Sequence, residues 1–379
     1  MNLERVSDAF RENFSLRGEL GASVSVWHRG NEMLNLAGGF CDRDQTKPWT
    51  SSTLVLFWSA TKGPAAACVL HSLQRHRLTL DTRVAEIWPE FAQNGKSAIT
   101  MGQLLSHRAG LAALDEPVPI FDYPAVIDAL AKQAPLWPPG DGHGYHPRTI
   151  GFLMDEIVRR LNDGLPLGDY WRMEFGEPLD LETWIGLPAE QLGRVVPVFA
   201  PRSTERTVPT MFDKAFRDPA SLTRRAFTSP AGLIGVSSMN TREARMASFP
   251  AFGGIGTAAS LAKFHAMLAN GGEIDGRRFF PEQTMDWMKT TLTSGFDRVL
   301  QLQTAFSAGF MKDVLDANGK KLRATFGPST TAFGHPGAGG SVAFADPESE
   351  ISFAYVMNQM GTGALPDERA PALIDALYG

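Results

Sequence analysis

The 379 residues are enough for two domains and a large buried core, and 43% hydrophobic against 20% charged residues describe a folded globular chain with no case for disorder. A net charge of -5 without a basic stripe argues against nucleic-acid or anionic-membrane partners, and no run of about 18 apolar residues offers a transmembrane helix. Only Cys41 and Cys68 occur, outside any C-x-x-C or zinc spacing, and charges crowd Met1 to Asp8 where a signal peptide needs an apolar stretch; reduced thiols in a cytoplasmic setting are expected.

Leu3, Val6, Phe10 and Phe14 stand at helical spacing and predict an amphipathic helix over 3–15. Residues 22–28 alternate as Ser-Val-Ser-Val-Trp, turn at Arg29-Gly30-Asn31 and return over 33–37, the pattern of a hairpin. Apolar Leu54 to Trp58 then leads into Ser59 and a helix over 62–76. A segment over 84–91, broken by Pro89, a short helix over 101–106 and helices over 123–133 and 149–161 follow, separated by Pro-rich and Gly-rich loops, with no alternating strand between about 80 and 180. Residues 188–250 read as long loops and short helices.

Gly254 to Ala259 imitates a dinucleotide fingerprint, but no strand pattern precedes it. Ser260 is expected to cap a helix running to Asn270 and ended by Gly271 and Gly272. Strand signals return over 306–311, 332–335, 341–346 and 351–357, with a turn at Pro347-Glu348-Ser349-Glu350, and residues 370–378 close the chain as a helix. The expected architecture is α+β. Residues 1–80 and 245–379 share one antiparallel sheet covered by helices, and 81–244 form a mainly helical insertion beside it.

Three stretches carry chemistry. Ser59 and Lys62 are three apart at the start of a helix, so an amine sits beside a hydroxyl. A serine becomes a useful nucleophile when a base takes its proton, and a lysine serves if burial lowers its pKa. Backbone N–H groups of a first helical turn also suit a forming oxyanion. Ser260 and Lys263 repeat the spacing, where a capping role is the simpler reading. Tyr145, within Gly142 to Pro147 ahead of a helix, can shuttle a proton if it lies beside the lysine; His143, His146 and Asp141 are an alternative metal-ligand set, without zinc spacing. Gly334 to Ser341 joins two apolar runs, where glycines mark close approach and an edge N–H can meet a carbonyl oxygen, with His335 adding a polar group.

In order, Ser59-x-x-Lys62, Leu104 to Leu111, Tyr145, Gly253 to Thr257 and His335-Pro336-Gly337 resemble the serine β-lactamase and penicillin-binding-protein-like superfamily. Within it, the likeness is to class C β-lactamase-related esterases, the family VIII carboxylesterases, over about 20 to 360. The resemblance implies a β-lactamase-like fold with the active site in the cleft between the sheet-bearing part and the helical domain. It implies Ser59 as the acylated nucleophile, Lys62 as its base and Tyr145 as proton relay. The N–H groups of Ser59 and Ala338 would form an oxyanion hole, with His335, Gly337 and His146 facing substrate and no cofactor or metal.

Departures move the expected substrate. Tyr145-His146-Pro147 stands where class C enzymes have Tyr-x-Asn, and His335-Pro336-Gly337 where they have Lys-Thr-Gly, so an amide and a fixed cation are missing. The expectation is hydrolysis of a small short-chain carboxylic ester through an acyl-enzyme. The alternatives are a β-lactamase or D,D-peptidase-like amide hydrolase, an acyltransferase, or a silent ligand-binding member of the fold. Loops 112–140 and 188–250 are expected to wall the pocket.

Overall fold

The computed structural model describes residues 1–202, 209–363 and 365–379; the part of the 188–250 reading that falls on 203–208 lies outside them. Helix α1 (Leu3–Leu16) buries Val6, Ala9, Phe10 and Asn13, and the Asn2 side chain caps it by accepting the Arg5 N–H. The hairpin follows as β1 (Gly21–His28) and β2 (Asn31–Gly39), paired antiparallel with a register shift at Val26/Trp27. Ser23 and Ser25 of β1 are as buried as the valines between them, so the alternation separates two covered faces rather than core from solvent. A strand of two residues, β3 (Val55–Leu56), runs through a 3₁₀ turn at Trp58–Thr61 into α2 (Lys62–Arg75).

The middle of the chain is helical: α3 (Val84–Ile87), α4 (Met101–Leu105), α5 (Tyr123–Lys132), α6 (Thr149–Leu161) and α7 (Leu167–Trp171), then α8 (Met211–Arg217), α9 (Leu222–Thr228) and α10 (Arg242–Met246). Within it, β4 (Thr183–Ile185) pairs with β5 (Gly254–Gly256), which pairs with β3 on its other side. This small sheet stitches the helical segment to the strand that precedes Ser59. Its glycines permit the approach, since a Cβ on Gly256 would lie 2.3 Å from the Glu182 carbonyl oxygen. The fingerprint-like glycines are therefore packing residues. Helix α2 lies at the seam and packs on α6 and α7.

The chain then forms α11 (Ala258–Ala269), the short pair β6 (Glu273–Ile274) and β7 (Arg277–Arg278), α12 (Glu282–Lys289), and strands β8 (Thr293–Phe296), β9 (Gln303–Phe306), β10 (Met311–Lys312), β11 (Phe333–Pro336), β12 (Val342–Asp346) and β13 (Ile351–Met357), closing with α13 (Arg369–Tyr378). One antiparallel sheet runs β2-β1-β13-β12-β11-β10-β9-β8, so both chain ends share it. Val24 and Val26 of β1 and Phe353 of β13 join Phe10 of α1 and Leu373 of α13 in one core. Ala354, Val356 and Ala343 join α11 and α2 in the other.

Two expectations are corrected. The N-cap of α11 is Thr257, whose hydroxyl accepts the Ser260 N–H, and Ser260 lies inside the first turn with its own oxygen accepting the Glu182 N–H at 2.8 Å. Residues 306–311 are not one strand. Gly309, at φ +84°, turns the chain where a Cβ would meet the Ala66 Cβ of α2 at 2.3 Å, and the run splits into β9 and β10.

Candidate active site

Ser59 lies at the start of the turn before α2, held from both sides. The Phe57 N–H donates to Gly254 O at 2.8 Å, the Thr61 hydroxyl donates to Trp58 O at 2.5 Å, and the Gly254 N–H donates to Thr61 Oγ1 at 2.8 Å. Trp58 takes φ +53°, a left-handed conformation that a bulky side chain rarely adopts and that marks this turn as held under strain.

Lys62, first residue of α2, is fully buried, and its Nζ lies 3.3 Å from Ser59 Oγ, 3.0 Å from Pro147 O and 2.8 Å from Ala251 O. Burial without a facing carboxylate pushes its pKa well below the usual lysine range. A neutral amine has two N–H bonds and one lone pair. The two carbonyls can only accept, so they take both N–H bonds, and the lone pair is left for the Ser59 hydroxyl. The same nitrogen lies 4.7 Å from the centre of the Tyr145 ring.

Tyr145 is buried, which raises its phenol pKa, while the Ser59 hydroxyl beside it opposes that shift. Its hydroxyl is 3.4 Å from His335 Nε2, and His335 Nδ1 is 2.7 Å from Pro336 O. A carbonyl accepts, so Nδ1 carries the proton and Nε2 accepts from the tyrosine. Burial and the nearby Lys62 push His335 down to about 3, so it is neutral at ordinary pH rather than a stand-in for a fixed cation.

Beneath Tyr145 lies a network that the sequence did not reveal. Asp297, fully buried, accepts the Tyr145 N–H at 3.0 Å and the Val299 and Leu300 N–H groups at 2.8 Å each, and receives the Thr304 hydroxyl at 3.0 Å. His143 Nε2 reaches Thr304 Oγ1 at 2.7 Å. The His107 ring packs 5.0 Å from Tyr145, centre to centre, and its Nδ1 accepts the His146 N–H at 3.2 Å. An isolated aspartate in Phe-Asp-Arg-Val has no sequence signature, and its role depends on a fold contact 152 residues back.

One expected substrate contact is corrected. His146 turns away from the cleft, fully buried, with Nδ1 donating to Gly144 O at 2.6 Å and Nε2 accepting the Leu111 N–H at 2.9 Å; both nitrogens are spent on backbone. Nor does it converge with His143 and Asp141, since the Asp141 carboxylate meets Arg298 at 3.4 Å, and no cluster able to hold a metal occurs among the described residues. Gly337 lets β11 abut the serine turn, because a Cβ there would lie 2.1 Å from Phe57 O. Its neighbour Ala338 does face the cavity. In the second Ser-x-x-Lys, Lys263 lies 3.5 Å from Asp275, remote from this chemistry.

Ser59, Tyr145, His335 and Ala338 line a cavity of about 170 Å³ walled by Phe212, Phe216, Phe227, Leu300 and Met311. Three of those side chains come from α8 and α9, within the 188–250 segment expected to wall the pocket, whereas no residue of 112–140 is among the lining. The aromatic spacing of Phe212 and Phe216, four apart, was the legible signal.

A large antiparallel sheet, a helical segment beside it and a serine-lysine pair at their seam define a beta-lactamase-fold hydrolase. The Beta-lactamase family model matches residues 7–378, and the chain belongs to that family. It is 30% identical over 363 residues to the esterase/beta-lactamase LipL of Mycobacterium tuberculosis, covering 93% of this chain and 80% of that protein. Among solved structures, a penicillin-binding protein homolog from Caulobacter crescentus matches at 37% identity and TM-score 0.86, over 99% of this chain and 96% of that one. A family VIII carboxylesterase matches at 32% identity and TM-score 0.87, over 98% and 95%. No helix among the described residues is long and apolar enough to cross a membrane.

Proposed function

We propose that this chain is a serine carboxylesterase that cleaves small, short-chain esters through an acyl-enzyme. The observation that carries the reading is the Lys62 amine, buried, spent on two carbonyls and 3.3 Å from Ser59 Oγ. The serine proton passes to the Lys62 lone pair as Oγ attacks the ester carbonyl carbon. The resulting oxyanion is held by the N–H groups of Ser59 and Ala338, two residues that line the cavity. Collapse breaks the bond to the alcohol oxygen, which takes a proton from Tyr145; the phenol is refilled from Lys62. Water then adds to the acyl carbon with the Lys62/Tyr145 pair as base, and the acid leaves.

An uncharged substrate is favoured by the lining. Its side chains are mostly apolar, it includes no Lys or Arg among the described residues, and His335 is neutral, so nothing there rewards the carboxylate of a β-lactam or peptide. The similarity to a family VIII carboxylesterase and to an esterase/beta-lactamase supports the same direction. Hydrolysis of p-nitrophenyl acetate and butyrate tests it. Ser59→Ala is expected to lose at least about a thousandfold in kcat, whereas Ser260→Ala keeps its activity and loses about 1–2 kcal/mol of stability for the stranded Glu182 N–H. Equal turnover by Ser59→Ala and the parent would sink the scheme.

A further inference from the structure

The cavity beside Ser59 does not stand alone. A second cavity, of about 340 Å³, is lined by Met211, Leu302, Leu365 and Pro366, with Thr210 and Gln301 as its polar groups, and Phe212 lines both. A third, of about 300 Å³ against Val342, Pro371 and Ile374, shares Leu365 and Pro366 with the second. Phe212 thus borders both the first and the second space, and it is the side chain common to their linings among the described residues. That ring is set by its neighbours: it stacks on Phe216 at 5.7 Å and meets Phe227 edge-on at 5.5 Å.

We propose that Phe212 determines how long a chain the ester may carry: with the ring in place a linear aliphatic chain stops in the first cavity, and without it the chain extends into the second. The inference rests on the esterase reading and names the feature of that site that selects among esters. The first cavity is smaller than the range usual for drug-sized ligands, whereas the first and second together fall within it. Each methylene moved from water into apolar space favours kcat/KM about fourfold, and a chain that the ring turns back gains nothing from its further carbons.

The test compares two series, p-nitrophenyl esters from acetate to dodecanoate, which present the chain on the acyl side, and n-alkyl acetates from ethyl to octyl, which present it on the alcohol side. The readout is the ratio of kcat/KM for the eight-carbon member to that for the two-carbon member. Phe212→Ala is expected to raise the ratio at least about tenfold in one series, and Leu302→Trp added to it, which refills the second cavity, is expected to reverse the rise. A flat ratio in both series for folded Phe212→Ala, or a rise that Leu302→Trp leaves intact, overturns the proposal. If Phe212→Ala melts early, Phe212→Leu is read the same way, with a smaller rise expected and a flat ratio again decisive. If neither enzyme cleaves any ester, the functional reading has failed separately. The partition is then read by protection of Ser59 from a fluorophosphonate: uncharged 1-octanol is expected to protect Phe212→Ala better than the parent, and equal protection overturns it.

Discussion

At Lys62 the hydrogen-bonding inventory and burial point the same way. A neutral amine satisfies Pro147 O and Ala251 O and still offers Ser59 a lone pair, and an ammonium in the same place has no carboxylate to repay its desolvation. The sign of the pH dependence follows. Below its unfolded pKa of about 10.4 the unfolded lysine binds a proton that the folded one, held well lower, does not; the unfolded state therefore binds more protons, and stability rises with pH across the window between the two values. Relative to Lys62→Met, the parent should gain stability as pH rises through that window, by up to about 1.4 kcal/mol per pH unit, measured by urea denaturation at a series of pH values below about 10. A parallel pair of stability curves would show that Lys62 is charged in the fold. Esterase activity should rise through the same lowered Lys62 pKa, since His335, at about 3, is neutral throughout.

At the scale of elements, the loop bearing Tyr145 is anchored by a carboxylate from the turn between β8 and β9. Asp297→Asn puts an amide NH₂ among backbone N–H donors, and a loss of about 2–3 kcal/mol is expected together with a fall in kcat larger than any change in KM, read by denaturation and ester kinetics. Wild-type kcat in Asp297→Asn would separate Tyr145 placement from this anchor. What the sequence disclosed differs among such elements for physical reasons. Helix α6 and strand β13 were legible to the residue, because each is a long, mostly apolar run that is covered along its length: α6 buries every residue from Thr149 to Val158, and β13 all of Ile351 to Met357. The short strands β3, β4 and β5 carry too few residues for any period, and the turn at Gly309 hid inside an apolar run. Ser59, Lys62 and Tyr145 were readable because each belongs to a local motif; Asp297 was not, because it is defined by a partner far off in the chain, and His146 was misassigned because sequence places a ring near the cleft without saying which way it turns.

Across the whole molecule, the two chain ends close over one sheet and meet at a buried charge pair. Arg369 of α13 reaches Glu19, just before β1, at 2.9 Å, Tyr355 of β13 donates to the same carboxylate, and Arg369 Nη2 also donates to Gly339 O at 3.1 Å, one residue beyond Ala338. Removing the guanidinium leaves a carboxylate buried and unpaired, so Arg369→Met is expected to cost about 3–5 kcal/mol by urea denaturation, far more than an exposed pair such as Arg29–Glu350. A loss below 1 kcal/mol would mean that the ends are not held together by this pair. The sheet, the helical segment and the turn after β11 thus converge on the serine from three directions, and an acyl-enzyme mechanism requires that serine to carry the acyl group during turnover. Rapid quenching during p-nitrophenyl butyrate hydrolysis, followed by peptide mass mapping, tests this most directly: a butyryl group is expected on the peptide containing Ser59 and absent from Ser59→Ala, whereas turnover with no adduct there, or with the adduct on another residue, would contradict it.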